Sequence, residues 1–325
     1  MLSNANSKAH YFEENTMTVR IDKAIKFLTD PDYRFLINAN KGKYESLPDD
    51  EYLKRMFKAR LGYEMNLDNP QTFNEKLQWL KLYDRKPIYT TMVDKSAVKD
   101  YVAGIIGEKY IIPTIGIWND AEEISFENLP EQFVLKCTHD SQGIVICKDK
   151  KSLDIEAAKR KLNRCLKRDY YKKSREWPYK NVPHRIIAEE YLEDSKSHEL
   201  SDYKVHSFNG TPKVILVCKN RFSENMMTED FFDAEWNHLN VRREHHGNCK
   251  TAIPKPKEMD IILNLARVLS ENIPFVRSDF YIVNEKVYFG ELTFSPAGGF
   301  RSFIPESFDR EMGKWLSLPD IKLEN

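Results

Sequence analysis

Residues 275–300 have the sequence FVRSDFYIVNEKVYFGELTFSPAGGF. Two runs within it, 275–283 and 287–294, are rich in β-branched and aromatic residues, which favour strands. The polar triplet Asn284-Glu285-Lys286 separates the two runs. This pattern predicts a β-hairpin whose strands are joined by a three-residue connection.

The register of this hairpin decides which side chains share a face. If Val283 pairs with Val287, four polar side chains project from one face in two opposed pairs, because side chains alternate between faces with a period of two. The pairs are Asp279 with Glu291 and Arg277 with Thr293. A slip of one residue would separate them.

Two opposed carboxylates on one face call for a positive charge between them. Their Cβ atoms lie about 5 Å apart, and like charges ~4 Å apart at a partly buried site repel by roughly 4 kcal/mol. Arg277 is one candidate for that charge, and a hard cation bound through oxygen ligands, Mg²⁺ first, is the other. A surface hairpin whose acids face water is the alternative interpretation. Residues 295–299 follow as a loop of small residues, whose backbone amides can approach a ligand closely.

The composition limits the classes of protein to which this chain could belong. The chain has 325 residues, of which 41% are hydrophobic and 31% charged, and this is typical of a globular protein with about two domains. Fifty basic residues balance fifty acidic ones, so the overall charge predicts neither a nucleic-acid nor a membrane partner. The five cysteines lack the paired spacing of a zinc site, which favours reduced thiols. We expect Cys137 to be a buried small residue rather than a nucleophile.

The N-terminal part of the chain is predicted to be helical. Residues 1–18 are polar, are expected to be frayed and lack the apolar core of a signal peptide. No apolar run approaches the ~20 residues that cross a bilayer, so we expect a cytoplasmic protein without an integral membrane segment. Helical patterns continue to residue 61, with Gly62 as a C-cap, and a capping box at residues 72–75 opens another helix.

Two lysines stand next to sequences that are suited to binding phosphate. A helix is predicted to begin with Asp94 as its N-cap, which places Lys95 at a helix N-terminus, where an anion is favoured. Lys136 ends a predicted strand and precedes the loop 137–143, whose backbone amides can cover phosphates. A solvated surface lysine and a plain hairpin are the alternative interpretations.

The middle of the chain is rich in basic residues. A basic amphipathic helix is predicted over residues 154–168, and the cluster 167–175 interleaves tyrosines with lysines and arginines. The cluster resembles a nucleic-acid patch, but a solvated loop or the rim of a site for an anionic substrate fits the neutral overall charge better. For His139, a substrate contact and a hydrogen-bonded structural role both remain open.

The remaining segments predict a mostly antiparallel sheet with helices. Strands are expected at residues 185–192, 202–208 and 212–218. A turn at Asn209-Gly210 joins the last two. A helix at residues 256–272 leads to the opening hairpin, and another is expected at 306–316. Together these elements predict an α+β protein.

Several motifs of the sequence belong together: PQTFNEKLQWLK at residues 70–81, DK at 94–95, FVLKCTH at 133–139 and GELTF at 290–294. They resemble those of the TupA-like ATP-grasp family of bacterial surface-polysaccharide and teichuronopeptide biosynthesis. The resemblance runs from about residue 47 to 316. It implies an ATP-grasp fold, in which two α+β lobes grip ATP after a helical N-terminal region. The implied domains are 1–90 for the helical region, 91–188 for the first lobe, and 189–325 for the second lobe with the metal-binding hairpin and the C-terminal helix.

The resemblance also assigns functional residues. The phosphate-binding set consists of Lys95, Lys136 and the loop residues Thr138, His139 and Gly143. The hinge that binds adenine consists of Glu189, Glu190, Tyr191 and Leu192, with Glu189 taking the amino group, and Asp202 is the residue for the ribose. The magnesium ligands are Asp279, Glu291 and Thr293, and the catalytic cations are Arg277 and Lys136.

Two positions depart from the family pattern. Thr293 stands where most ATP-grasp enzymes have an asparagine metal ligand, which weakens the case for a second Mg²⁺. Asn237 stands in the place of a further phosphate-binding lysine found in some relatives. Lys204 or Arg221 is expected to supply that charge.

The resemblance implies a reaction and its partners. ATP-grasp ligases pass the γ-phosphate of ATP to a carboxylate, and an amine attacks the acyl phosphate to form an amide. Here it implies ATP and Mg²⁺ as cofactors, a uronic-acid carboxyl of a surface glycan, an amino-acid amine, and polysaccharide-assembly enzymes as further partners. A nucleotide-binding scaffold without activity and a glycosyltransferase are the alternative functions.

Overall fold

The computed structural model describes residues 21–140, 143–196, 200–219, 227–244 and 246–320. The chain divides into two compact units, Met1–Met65 and Asn66–Asn325. Among the helices of the described residues, none combines the length and the apolar character needed to cross a membrane.

The first unit is helical in its described part. It contains α1 (residues 21–29), α2 (Pro31–Asn40) and α3 (Asp49–Leu61). The side chain of Asp30 caps α2 by accepting the Tyr33 N–H. Gly62 ends α3 with a φ of 82°, the left-handed conformation that closes a helix, so the predicted C-cap is confirmed. The predicted helical N-terminal region is likewise confirmed for these residues.

The second unit combines helices with antiparallel strands. Its helices are α4 (Phe73–Tyr83), α5 (Ile88–Val93), α6 (Ala97–Ile106), α7 (Ile155–Leu166), α8 (Tyr170–Ser174), α9 (Met259–Leu269) and α10 (Ser307–Trp315). Its strands are β1 (Thr114–Trp118), β2 (Phe133–Cys137), β3 (Ile144–Cys147), β4 (Ile186–Glu190), β5 (Ser201–Phe208), β6 (Thr211–Lys219), β7 (Thr228–Asp233), β8 (His238–Leu239), β9 (Arg242–Arg243), β10 (Phe275–Val283), β11 (Lys286–Thr293) and β12 (Phe303–Ile304). The predicted α+β class is confirmed.

A four-stranded antiparallel sheet carries the first group of predicted site residues. Its strand order is β1-β4-β2-β3. Phe133, Leu135 and Cys137 alternate along β2 and are fully buried in a core that is shared with α7. Because side chains alternate between faces, Lys136 projects from the opposite side of the sheet.

A six-stranded antiparallel sheet carries the second group. Its strand order is β11-β10-β5-β6-β7-β8. Apolar residues of α5, α6 and α9 pack on one face, and those of α4 and α10 pack on the other. β10 is therefore buried along most of its length, and the charged residues Arg277 and Asp279 on it need partners inside the protein. A two-stranded sheet of β9 and β12 completes the strands of the described residues.

The hairpin of β10 and β11 has a shorter turn than predicted. Val283 pairs with Lys286 rather than Val287, so the connection has two residues, Asn284 and Glu285. Both have positive φ, 50° and 64°, as a tight two-residue hairpin turn requires. The predicted three-residue connection is wrong.

A β-bulge nevertheless restores the predicted pairs. Asp279 pairs with Glu291 and the next residue of β10 pairs with Phe289, which leaves Gly290 as the extra residue of β11. A Cβ at Gly290 would lie 3.0 Å from the Tyr281 ring, so the bulge favours glycine. The bulge cancels the one-residue error at the turn, and the predicted opposition of Asp279 and Glu291 is confirmed.

Helices α4 and α10 meet at a close backbone approach. The predicted capping box of α4 is confirmed, because the Thr72 side chain accepts the Glu75 N–H and the Glu75 carboxylate accepts the Thr72 N–H. In α10, Asp309 accepts the backbone and side-chain N–H groups of Asn74 at 3.0 and 2.9 Å. A Cβ at Gly313 would lie 2.1 Å from a backbone carbonyl oxygen of the segment before α4.

Replacing Gly313 by Ala should destabilise the protein by about 3 kcal/mol, because the methyl group would force the two backbones apart. Gly104 in α6 is the matched control, since a Cβ there has no atom within 4 Å. Gly104→Ala should raise the free energy of unfolding by roughly 0.5 kcal/mol through helix propensity. Urea denaturation measures both values, and equal effects would contradict the packing described for α4 and α10.

The ends of several elements differ from the predicted ones by one to three residues. The helix predicted at 256–272 spans Met259–Leu269, and the strand predicted at 185–192 spans Ile186–Glu190. The turn at Asn209-Gly210 is confirmed between β5 and β6, with φ values of 48° and 79°. The division into domains at residues 90 and 188 stays a prediction.

Candidate functional site

A buried carboxylate lies between two lysines beside the four-stranded sheet. Glu189 of β4 is 5% exposed, and its carboxylate oxygens lie 2.6 Å from Nζ of Lys99 and 2.5 Å from Nζ of Lys136. Burial acts to raise the pKa of the Glu189 carboxyl, but the attraction of Lys136 and Lys99 outweighs burial and lowers the pKa below its ordinary value. Two positive charges therefore share one acid at this position.

Lys95 lies in the turn before α6 rather than in its first helical turn. The helix begins at Ala97, so the prediction of Asp94 as the N-cap is wrong. Asp94 instead accepts the backbone N–H and the hydroxyl of Ser96 at 2.9 and 2.7 Å. This local turn competes with the helix for two residues, so Lys95 precedes the first helical residue.

The surroundings of Lys95 connect the two groups of predicted residues. Its Nζ donates to the carbonyl oxygen of Asp140 at 3.0 Å. Burial lowers the pKa of Lys95, and the carboxylate of Glu291 on the hairpin partly offsets this, while Lys136 adds to it. The charges of Glu291 and Lys136 therefore both influence Lys95.

The loop at residues 137–143 is held by its own backbone and side chains; residues 141–142 lie outside the described part. Thr138 is buried, and its hydroxyl donates to the carbonyl oxygen of Pro183 at 2.7 Å. The Cys137 N–H donates to the Gly143 carbonyl oxygen at 2.8 Å. A Cβ at Gly143 would lie 2.7 Å from the Cys137 sulfur, so close packing within the loop accounts for this glycine.

His139 of this loop has a hydrogen-bonded structural environment. Its Nε2–H donates to the carbonyl oxygens of Cys165 and Arg168 at 3.2 and 3.1 Å, which ties the loop to the end of α7. The ring stacks on His184 with centroids 3.7 Å apart. Burial lowers the pKa of His139, and His184 lowers it further. Of the two roles left open by the sequence, this geometry supports the structural one.

The segment proposed as an adenine-binding hinge begins at the end of β4. The Glu190 N–H donates to the carbonyl oxygen of Pro113 at 3.2 Å, and the Glu190 side chain is exposed. The Tyr191 hydroxyl donates to Glu193 at 3.1 Å, and Leu192 is half-buried. The Glu189 side chain, in contrast, contacts the two lysines Lys99 and Lys136.

On the hairpin, Arg277 fills the position between the opposed acids. Its Nε and Nη2 donate to the two oxygens of Asp279 at 2.6 and 2.7 Å, a bidentate contact. Nη2 also lies 3.0 Å from Oε1 of Glu291 and 3.0 Å from Oγ1 of Thr293. Burial acts to lower the pKa of Arg277, but Asp279 and Glu291 outweigh it and raise the pKa. The structure thus brings all four predicted side chains together around a permanent positive charge.

Lys204 of β5 adds a second cation to this group. Its Nζ contacts Asp279 and lies 2.7 Å from Oδ2 of Asp202. Both aspartates are 1% exposed. Burial acts to lower the pKa of Lys204, but Asp279 and Asp202 outweigh it and raise the pKa. The proposed ribose ligand Asp202 and the proposed phosphate ligand Lys204 are therefore paired with each other.

The donor set predicted for a metal fits a hard cation in chemistry. The oxygens of Asp279, Glu291 and Thr293 surround one point at 2.7–3.0 Å, the Nη2 atom of Arg277. Oxygen donors of this kind suit Mg²⁺. Both Asp279 oxygens already contact cations, whereas the Glu291 side chain is 41% exposed. Within the described residues, no three His, Cys, Asp or Glu side chains are grouped as a metal site.

Two of the remaining predicted positions have structural surroundings. Asn237 closes a turn after β7 through hydrogen bonds to Asp233, both at 2.8 Å. Arg221 falls outside the described residues, so Lys204 is the compensating charge that the structure describes. Cys137 is fully buried, and burial raises the pKa of its thiol to about 12, which agrees with the predicted structural role.

Sequence reasoning missed a buried polar group next to the hairpin. Lys81 of α4 is 3% exposed, and its Nζ donates to the carbonyl oxygen of Gly298 at 2.6 Å. Glu176 is 2% exposed and accepts the Tyr170 hydroxyl at 2.9 Å. Burial lowers the pKa of Lys81 to about 8 and raises that of Glu176, although Lys81 and Arg277 act to lower it. No spacing in the sequence connects these residues.

Two further residues of the site were missed. Lys99 follows Lys95 by four residues, a spacing that could have indicated a second lysine on the same side. His206 of β5 pairs with Arg277 of β10. Burial and the charge of Arg277 lower the pKa of His206 to about 3, so this imidazole stays neutral beside the guanidinium group.

Comparisons with known proteins give one family match. The family model described as TupA-like ATPgrasp matches residues 75–317. No curated protein matches the chain.

Solved structures similar to the chain include the following ligases. A D-alanine–D-alanine ligase from Bacillus anthracis complexed with ATP shares 13% identity over 62% of this chain and 53% of that chain, with a TM-score of 0.35. The ATP-grasp ligase PsnB, complexed with a phosphomimetic variant of its minimal precursor, Mg and ADP, shares 12% identity over 68% and 57%, with a TM-score of 0.38. A D-alanine–D-alanine ligase from Helicobacter pylori shares 13% identity over 75% and 69%, with a TM-score of 0.40. The match spans little more than half the length of the first two proteins.

Proposed function

Because this chain belongs to the TupA-like ATP-grasp family, as its sequence motifs predicted, we propose that it is an ATP-dependent ligase that joins a carboxylate to an amine. We propose further that the carboxylate belongs to a uronic acid of a bacterial surface polysaccharide or its precursor and that the amine belongs to an amino acid. The family resemblance of the sequence motifs supports these substrates.

In the proposed reaction, an oxygen of the acceptor carboxylate attacks the γ-phosphorus of ATP and ADP leaves. The amine nitrogen then attacks the carbonyl carbon of the acyl phosphate. An amide bond forms, inorganic phosphate leaves and the nitrogen loses a proton. The triphosphate and the carboxylate are both anionic, so they approach each other only where cations lie between them.

The observation that carries the proposal is the position of Arg277. It lies within 3.0 Å of oxygens of three side chains on one hairpin. We assign Arg277 to the transferred phosphoryl group, where a fixed cation stabilises developing charge. Lys95 and Lys136 would bind the phosphates, and an incoming phosphate would compete with Glu189 for Lys136.

The ion pairs already present in the site decide which groups we propose for the remaining nucleotide contacts. The family resemblance predicts that Glu189 binds adenine and Asp202 binds ribose, but both carboxylates pair with lysines. We therefore propose that backbone groups of residues 190–192 bind the adenine edge. Mg²⁺ would be held by Glu291 with Asp279 and Thr293, and would neutralise charge on the phosphates. We place the reaction in the cytoplasm, where ATP is available, with polysaccharide-assembly enzymes as partners.

Release of ADP by the purified protein tests the proposal. ATP and Mg²⁺ are supplied with a panel of uronic acids and amino acids, and mass spectrometry follows the products. We expect ADP, phosphate and an amide in equal amounts, with no amide when any one of the three substrates is left out. ATP binding without ADP release for any pair in the panel would contradict a ligase.

A nucleotide-binding scaffold is the second candidate. The complete ion pairing of Asp279 with Arg277 and Lys204 favours it, because a structural pair of this kind needs no metal. Cells that carry Asp279→Asn separate the two. At equal levels of folded protein, a scaffold predicts intact polysaccharide in these cells, and a ligase predicts polysaccharide without its amide-linked amino acid.

A further inference from the structure

Positive charge is concentrated on one short part of the chain. Residues 155–175 contain nine lysines and arginines and two acids. The whole chain has equal numbers of basic and acidic residues, so the rest of the protein is acidic overall. A local excess of seven positive charges in a neutral protein attracts anions to this part.

Three arginines of this part border one groove. The groove has a volume of about 440 Å³ and is lined by Ala157, Arg160, Lys161, Arg164, Cys165 and Arg168. Arg160 and Arg164 are exposed and stand four residues apart on α7, which is about 6 Å along the helix axis. Arg168 follows the end of the helix. None of the lining residues is acidic, so the groove presents a row of guanidinium groups.

The basic row ends at the proposed phosphate site. Arg168 pairs with the Asp140 carboxylate at 3.4 Å, and the Asp140 carbonyl oxygen accepts from Lys95 at 3.0 Å. His139 fixes this junction, because its ring donates to two carbonyl oxygens at the end of α7. A chain-like anion lying along the groove would thus lead toward Lys95.

We propose that this groove binds the anionic acceptor polysaccharide, a chain of uronates whose carboxylates pair with the arginine row while its end reaches the phosphate site. The identity of the occupant rests on the proposed function. Planar guanidinium groups bind carboxylates through paired hydrogen bonds, and carboxylates repeat along a uronate chain. The groove therefore selects polymers over single sugars.

The same residues disfavour the two other polyanions that such a surface attracts. A membrane would need the apolar side of α7, but Ala158, Leu162 and Cys165 on that side are buried in the core. A nucleic acid would use aromatic rings for stacking, but Tyr171 is buried and the Tyr170 hydroxyl donates to Glu176. The tyrosines that made the sequence resemble a nucleic-acid patch are thus held inside the protein.

Binding of an oligogalacturonate to the full-length protein, measured by calorimetry without nucleotide, tests the inference. The double variant Arg160→Gln/Arg164→Gln should bind about tenfold more weakly, and added salt should weaken wild-type binding. Arg310 and Lys314, also exposed and four residues apart on α10, give the matched control, and Arg310→Gln/Lys314→Gln should bind like the wild type. Thermal unfolding of both double variants checks that the fold is kept.

Three results would overturn the inference. They are equal affinity of the groove variant and the wild type, an equal loss in the α10 control, and tighter binding of single-stranded DNA or anionic vesicles that depends on the same arginines. Methyl-esterified oligogalacturonate, which lacks the charges, should not bind. Because no ATP is present, these results do not depend on whether the ligase assay succeeds.

Discussion

Replacing Asp279 by Asn should lower the rate of ADP release on the order of 10³-fold and destabilise the protein by about 3 kcal/mol. Asp279 is 1% exposed and contacts both Arg277 and Lys204. The amide keeps the size of the carboxylate but not its charge, so two buried cations lose a shared partner. Arg277 would then no longer be held in the position from which it meets the transferred phosphoryl group.

Glu229→Gln is the matched control for Asp279→Asn. Glu229 lies on β7 of the same sheet, is 1% exposed and forms a bidentate pair with Arg243. Its replacement should cost a similar free energy of unfolding but leave the rate per folded molecule intact. ADP release and urea denaturation of both variants separate loss of chemistry from loss of stability. Equal rates in the two variants would contradict the role given to the hairpin.

Replacing Glu189 by Gln should destabilise the protein by about 3 kcal/mol at neutral pH, because Lys99 and Lys136 would keep their charges in a buried place without the acid. The folded-state pKa of Glu189 is lowered from 4.5. The contribution of its charge to stability is therefore fully present above pH 4.5 and is lost as the pH falls through the folded-state value. The difference in unfolding free energy between wild type and variant should shrink in acid.

The neighbouring Glu190 provides the control for this prediction. Its side chain is exposed, and Glu190→Gln should change the free energy of unfolding by less than about 0.5 kcal/mol at any pH. Urea denaturation at neutral and acid pH measures both variants. A Glu189→Gln variant as stable as Glu190→Gln at neutral pH would show that the two lysines do not depend on this acid.

The hairpin shows what the sequence can and cannot predict. Alternation of side chains indicated the four polar residues on one face, and the structure has the predicted pairs. The turn was wrong by one residue, because Glu285 adopts a φ of 64° although two-residue hairpin turns favour Asn, Asp or Gly at their central positions. The bulge at Gly290 shifts the register by one residue and so cancels the error at the turn. A glycine within a strand can mark a bulge, but the sequence alone does not show whether it does.

The sequence predicted which charged residues lie in the site but not which residues they pair with. Motifs identified Lys95 and Lys136, yet the pairing of Lys136 with Glu189 depends on how strands distant in sequence are ordered in the sheet. Glu189 and Asp202 were predicted to bind the nucleotide because the family resemblance assigns roles to residues that contact a bound ligand. The burial of Lys81 and Glu176 depends on packing of α4 against later segments, which local sequence does not encode.

The position of Lys95 has a similar explanation. An aspartate followed by a helical pattern indicated an N-cap, but Asp94 bonds to Ser96 two residues on, and the helix starts only at Ala97. Aspartate favours both arrangements, so the choice between them is made by the surroundings. Arg185 is part of these surroundings, because it pairs with Asp94 at 3.0 Å.

The central claim is that the acceptor carboxylate attacks the γ-phosphorus of ATP. Tracing an oxygen atom of that carboxylate tests the claim most directly. A uronate that supports turnover is labelled with a heavy oxygen isotope in its carboxyl group, and the phosphate released is analysed by mass spectrometry. Attack of the carboxylate on the γ-phosphorus predicts one labelled oxygen in each phosphate and one ADP for each amide. Unlabelled phosphate, or AMP and pyrophosphate in place of ADP, would contradict it.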